Sequence, residues 1–207
     1  PGTTGTAYPT ATGLIQCSML VNATFDTGLD GFILGQNFTP ALYNTDANNL
    51  SQFQRCAVLP YMGPGFSGSC LTTGGDAGVC GNGTNTYGNA VSNNLVSPAF
   101  SLVGHSNARL YYNAVRNGKL GSSSCRFRVY ISTNNGNSWN QIVNDLGGDS
   151  IPNTVLNREV SLASYAGQAN VRLRFEFWDN GNSGIFTSAA GTYAGWSLDN
   201  VRVYSCP

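Results

Sequence analysis

From Val171 to Phe177 apolar and polar residues alternate without a break. Val171, Leu173, Phe175 and Phe177 share one side, and Arg172, Arg174 and Glu176 share the other. A period of two marks a strand with one buried face. Cys125 to Ile131 repeats the pattern, with Cys125, Phe127, Val129 and Ile131 inward and Arg126 and Arg128 outward. The Asn135-Gly136 dipeptide then predicts a tight hairpin, with Trp139 to Val143 as the returning strand. In Trp196 to Tyr204 the parity of apolar positions breaks at Asp199-Asn200, which predicts a bulge that re-aims those side chains.

Weaker runs complete the set. Cys17 to Phe25, Ala108 to Val115 and Val155 to Leu162 read as strands. Leu95 to Leu102 reads as a strand held to an edge or a start by Pro98. Residues 36–94 read as an irregular, cysteine-containing insertion with one strand around Arg55 to Leu59. No stretch has a convincing helical period. The pattern predicts an all-β chain: a single antiparallel β-sandwich over residues 17–207, preceded by an uncharged Thr/Gly-rich leader over residues 1–16.

Composition narrows the function classes. The 207 residues carry 10 Lys+Arg and 10 Asp+Glu, for a formal net charge of zero. That balance offers no basic field for nucleic acid. No apolar run approaches the roughly 20 residues of a membrane span. The chain begins at Pro1, which suggests a processed N-terminus.

The six cysteines are Cys17, Cys56, Cys70, Cys80, Cys125 and Cys206, and no two form a CxxC pair. This spacing favours disulfides in an extracellular, cell-surface protein over zinc or thioredoxin-like chemistry. The expected pairs are Cys17 with Cys206, tying the first strand to the last, and Cys70 with Cys80 across a glycine-rich loop. Glycosylation sequons at Asn22, Asn37, Asn49 and Asn82 are no more than chance supplies in so Asn-rich a chain.

Several motifs in order carry a family resemblance. They are Phe25-Asp26-x-Gly28-Leu29, Leu95-x-Ser97-Pro98, Val129 to Gly136 followed by Trp139, Val160-Ser161-Leu162 with Tyr165 to Gln168, Arg174-Phe175-Glu176, and Gly195-Trp196-x-Leu198-Asp199-Asn200-Val201. Together they resemble the MAM-like jelly-roll superfamily, and within it the bacterial cleaved-adhesin and choice-of-anchor domains. The resemblance spans residues 20–206 and is poor over 36–94. Segment 132–139 also resembles an Asp-box hairpin, with Asn134 in the Asp position. The resemblance implies a jelly roll, an extracellular location and an adhesive role without catalysis. It further implies a structural calcium ion held by Asp26 and Asp199, with Asn200 where relatives carry a second Asp and Asp30 as an extra ligand. Calcium takes six to eight oxygens, so two carboxylates would be only part of such a site. The alternative is that Asp26 caps a turn and Asp199 bonds backbone.

Two further constellations stand out. Arg126, Arg128, Arg172 and Arg174, with Arg202 and Tyr204 of the last strand, would line one outer face if their strands share a sheet. Aligned like charges destabilise a sheet, so Glu176, Asp179 or an anionic ligand such as an acidic sugar must offset them, unless the face is simply solvated. Trp178, with Tyr61, Phe66, Tyr87, Phe186 and Tyr193, offers aromatic surface for sugar stacking or for packing the insertion. Catalytic signals are poor. His105 is the single histidine and no nucleophile motif accompanies it, while Glu159 and Glu176 are the conceivable glycosidase pair. The expected function is a non-catalytic adhesion or carbohydrate-binding module whose partner is a glycan or cell-surface ligand. The alternative is a subunit of a filament or surface layer that binds copies of itself by donating its N-terminal strand.

Overall fold

A computed structural model describes residues 16–35, 53–57, 66–73, 86–87, 91–117, 125–146, 154–179, 186–187 and 195–207. Its strands in chain order are β1 (Ser18–Ala23), β2 (Ile33–Gly35), β3 (Gln54–Ala57), β4 (Ser69–Thr72), β5 (Thr86–Tyr87), β6 (Val91–Val96) and β7 (Ala108–Asn117). There follow β8 (Cys125–Ser132), β9 (Asn140–Leu146), β10 (Val155–Ser161), β11 (Arg172–Asp179), β12 (Phe186–Thr187) and β13 (Gly195–Ser205). A six-stranded sheet runs β10-β7-β13-β4-β3, with β1 also on β13, and a five-stranded sheet runs β2-β6-β11-β8-β9. Every pairing between these strands is antiparallel. The architecture is the antiparallel β-sandwich that the period of two predicts. Among the described residues no helix is long and apolar enough to cross a membrane.

The alternating positions build the core. Cys125, Phe127, Val129 and Ile131 of β8 and Leu173, Phe175 and Phe177 of β11 are fully buried, as are Leu198, Val201 and Val203 of β13. Trp196 is the hub, its ring within 6.5 Å of Phe53, Tyr112, Phe127 and Phe175. Two predicted irregularities are present. The β13 register shifts between Asp199 and Arg202, where Asn200 takes a positive φ of 51°. In the β8–β9 hairpin Asn135 and Gly136 take φ values of 59° and 95°. The Asn134 carboxamide oxygen accepts hydrogen bonds from Ser138 N and Ser132 Oγ, both at 2.9 Å, so an amide organises this turn without the Asp-box carboxylate.

Cys17 and Cys206 are disulfide-bonded beside the β1–β13 pair, across a sequence separation of 189. In the chain-entropy account a loop that long is worth roughly 5 kcal/mol. Cys70 and Cys125 are both buried, and Cys70 lies opposite Cys56 in the β3–β4 register. Cys80, the expected partner of Cys70, lies outside the described residues, as do residues 1–15 and the sequons Asn37, Asn49 and Asn82.

Two expectations are corrected. Residues 36–94 are more regular than they read: β3, β4, β5 and the start of β6 fall within them, and β4 pairs directly with β13. β3 is the strand expected around Arg55, whereas β4 escapes the sequence pattern because it is short and does not alternate: Cys70, Leu71 and Thr72 are all buried. Arg202 and Tyr204 do not share a face with the other arginines, because β13 belongs to the six-stranded sheet and β8 and β11 to the five-stranded one.

Candidate functional site

The first candidate lies where β1 ends. Because β1 pairs with β13, Asp26 and Asp199 come to the same corner. Between them passes the segment leading into β4. Ser67 N donates to Asp199 Oδ2 at 3.1 Å, and Ser69 N donates to Asp26 Oδ1 at 3.0 Å. Gly68 links the two at φ 64°, and a Cβ there would collide with the Asp26 carboxylate. Arg55 closes the corner, with Nη1 donating to Asp26 O at 2.8 Å and to Ser69 Oγ at 3.1 Å.

Asp199 is fully buried and also accepts from Asn200 N at 2.6 Å. Burial, with a smaller contribution from the nearby Asp26 carboxylate, pushes its pKa up to about 6, against the lowering effect of its backbone donors. A buried, partly repelled carboxylate beside a second one is a setting that a hard cation would relieve. The other expected ligands fit less well. The Asn200 side-chain oxygen accepts from Arg202 Nη2 at 3.0 Å, and Asp30 Oδ2 caps the turn by accepting from Thr24 N at 2.9 Å and Phe25 N at 2.7 Å. Among the described residues no three acidic, histidine or cysteine side chains cluster as a metal site. The residues therefore fit calcium only in part, through Asp26 and Asp199.

The second candidate is the outer face of the five-stranded sheet. Outward positions of β6, β11, β8 and β9 fall into rows set by register. Arg174 lies beside Tyr130, Asn94 beside Glu176 and Arg128, and Ser92 beside Trp178 and Arg126. The aligned arginines are managed by stacking. Arg174 sits 4.2 Å from the Tyr130 ring centroid and 4.8 Å from that of Trp139, and Arg128 sits 4.6 Å from that of Trp178. A planar guanidinium over an aromatic face gains about 0.5–2 kcal/mol as it is desolvated.

Glu176 is the anion at the centre of this face. Its Oε2 lies 3.7 Å from Arg128 Nη1, and its Oε1 accepts from Ser92 Oγ at 3.1 Å. Burial and then the Glu176 carboxylate raise the Tyr130 pKa. Burial lowers that of Arg174. The remaining arginines are engaged at the margins. Arg172 Nε donates to Asn135 Oδ1 at 2.7 Å and its Nη1 to Ser97 O at 2.9 Å, bracing the hairpin against the chain after β6. Arg126 Nη1 donates to Cys125 O at 3.1 Å. Arg128, Arg174 and Trp178 are thus brought together, while Arg126 and Arg172 serve the edges.

Sequence reasoning missed Ser92, Asn94, Tyr130 and Trp139 as members of this face. A usable signal existed for the first two. Leu95 is inward, so counting back by parity turns Asn94 and Ser92 outward. The loop aromatics Tyr61 and Tyr193 lie outside the described residues, and Phe66 is buried.

Among the described residues nothing assembles around the catalytic candidates. His105 lines a shallow polar hollow of about 250 Å³ with Gln16, Ser18, Ser106 and the C-terminal Pro207, and no carboxylate side chain lines it. Glu159 lies on β10 and Glu176 on β11, in different sheets with outward side chains, so they are not a pair.

No protein-family model matches the chain, and no curated protein sequence matches it. Solved structures do. The K3 cleaved adhesin domain of Lys-gingipain from Porphyromonas gingivalis W83 matches with a TM-score of 0.51 and 16% identity, over 91% of this chain and 100% of that one. The K1 cleaved adhesin domain of the same protein gives 0.49 and 16%, over 92% and 98%. A structure concerned with the promiscuous specificity of carbohydrate-binding modules of the β-sandwich superfamily gives 0.50 and 11%, over 86% of this chain and 59% of that one. The likeness establishes a fold shared with a cleaved adhesin domain. It does not extend to MAM or choice-of-anchor domains specifically.

Proposed function

We propose that the protein is an extracellular, non-catalytic binding module that holds glycans on the outer face of its five-stranded sheet. The observation that carries this reading is the ordered layer of Arg128 on Trp178 and Arg174 between Tyr130 and Trp139, around the buried Glu176. Rigid aromatic and planar polar groups with few loose rotamers suit sugar recognition, because little entropy is lost when the ligand arrives. The cleaved-adhesin-like fold is compatible with it, and the Cys17–Cys206 disulfide supports an oxidising compartment. Isothermal titration against a panel of neutral and acidic oligosaccharides tests the reading. Binding that Trp178→Ala abolishes and Arg109→Ala leaves intact is expected; no binding by any of the panel overturns it.

A structural calcium ion at Asp26 and Asp199 is part of the same proposal. A ligand bound only by the native state raises its thermal midpoint. EDTA should therefore lower the midpoint of the wild type and calcium restore it, with no response in Asp199→Asn. An unresponsive wild type removes the ion from the proposal.

One observation favours a second reading, the self-assembling subunit. Among the described residues β1 pairs with β13 alone, and Met19 on it is 54% exposed. An edge that no described strand covers, following residues 1–16 in the chain, is a place where a neighbouring chain could add a strand. Sedimentation velocity of the full chain beside one lacking residues 1–16 separates the readings. Large regular species that need the leader favour assembly, and compact monomers in both exclude it.

A further inference from the structure

Of the six cysteines, Cys17 and Cys206 are joined. A second pair lies within bonding reach in the six-stranded sheet. In the antiparallel β3–β4 register Cys56 falls directly opposite Cys70. Directly opposed residues of an antiparallel pair have Cα atoms about 4.5–5.5 Å apart and share one face of the sheet. A disulfide spans Cα separations of about 4.4–6.8 Å. The backbone register thus supplies the spacing that the bond needs. Cys70 is a buried thiol in this structure.

The pair also stands where a covalent tie has something to hold. Strand β3 reaches the rest of the sheet through β4. Strand β4 in turn meets β13 through two residue pairs, Thr72 with Ser197 and Leu71 with Leu198. A two-stranded unit this short is marginal in water. Yet it carries the groups that close the Asp26–Asp199 corner. Arg55, the residue before Cys56, donates to Asp26 O and to Ser69 Oγ. Ser69, the residue before Cys70, donates its N–H to Asp26, and Ser67 donates to Asp199.

We propose that Cys56 and Cys70 form a cross-strand disulfide that clamps β3 to β4 and so fastens the Asp26–Asp199 corner. The bond takes Cys70 away from Cys80, the partner that the sequence spacing suggests. The oxidant is a low-molecular-weight disulfide of the glutathione class. One cysteine thiolate attacks it, the oxidant's S–S bond breaks, one thiol leaves and a mixed disulfide forms. The other cysteine thiolate then attacks the protein-side sulfur, forming the Cys56–Cys70 bond and releasing the second thiol. Two cysteine thiols are oxidised, one oxidant disulfide is reduced to two thiols, and the two protons end on those thiols. Cys70 is 0% exposed in the folded chain, so the exchange takes place before β4 docks on β13, and the finished bond is shielded from reductant.

The test refolds the full chain from its reduced, denatured state in a glutathione buffer and alkylates the remaining thiols. Chymotrypsin cuts after Tyr61 and Phe66, and endoproteinase Asp-N cuts before Asp76, so Cys56, Cys70 and Cys80 fall on separate peptides. Mass spectrometry should find the Cys56 and Cys70 peptides joined. Any other partner for Cys70, Cys80 included, overturns the inference, and so does alkylation of both Cys56 and Cys70. This mapping stands whether or not the fully reduced chain folds. Thermal melts then read the clamp, comparing the wild type with Cys56→Ser/Cys70→Ser, each refolded with and without a phosphine reductant. Closing a loop of about 15 residues should make the midpoint gap between them roughly 6–12 °C larger without reductant than with it. That difference cancels any effect of the serines on packing. A gap that reductant leaves unchanged overturns the clamp.

Discussion

The two sheets turn outward faces of the same residue types to different ends. On the six-stranded sheet Tyr204 donates to Glu159 at 2.6 Å and Arg109 pairs with Glu159 at 3.3 Å, with the ion pair 51% and 44% exposed. That network is wet and closes on itself. On the five-stranded sheet the same ingredients (arginine, tyrosine and glutamate) are drawn out of solvent, with Arg174 stacked on Tyr130 and Arg128 paired with Glu176. Composition does not separate the faces. Burial does, because desolvation raises both the strength of a charge interaction and the cost of an incomplete one.

The contrast can be broken by substitution. The largest effect should come from Glu176→Ala, which strands Arg128 and Ser92 in a half-dry layer. A loss of about 2–3 kcal/mol in denaturant unfolding is expected, against less than about 1 kcal/mol for Glu159→Ala on the wet face. Equal losses would mean the faces do not differ. Arg174→Ala should follow, costing about 1–2 kcal/mol because it empties the slot between Tyr130 and Trp139. Arg174→Lys should recover little of this, since an ammonium keeps the charge but not the planar stack. Full recovery by lysine would show that charge, not stacking, holds the layer.

Asp199 sharpens the comparison within one sheet, because it leaves β13 on the side away from the core yet is fully buried. Its folded pKa of about 6 stands above the ordinary aspartate value of 3.8. The folded state thus holds the proton more tightly than the unfolded chain does. Stability from this group is present in full below about pH 4 and is lost as pH rises through about 6. The stability of the wild type relative to Asp199→Asn should therefore fall between those values and level off above them. Added calcium should flatten that fall. A difference that is flat without calcium would contradict the burial argument. The smallest effect concerns salt: raising ionic strength should weaken the exposed Arg109–Glu159 pair by a few tenths of a kcal/mol and hardly touch the Arg128–Glu176 layer. Similar salt slopes for Glu159→Ala and Glu176→Ala would mean that the second layer is as wet as the first.

Sequence alone determined the local geometry of this protein. A period of two sorted Phe127, Val129, Leu173 and Phe175 into the core, because a strand has only two faces. Asn135-Gly136 announced a hairpin, since few residues tolerate positive φ. The parity break at Asp199-Asn200 announced the bulge, and cysteines near both ends announced the pairing of first and last strands. Only the tertiary structure decided which strands share a sheet. That choice separated Arg202 from Arg128 and set Glu159 and Glu176 apart. It also laid Asn94 beside Glu176, and placed Ser67 and Ser69 between Asp26 and Asp199. These neighbours are up to 132 residues apart in the chain. Strand order depends on the summed packing of both faces rather than on any local signal, so no window of sequence contains it.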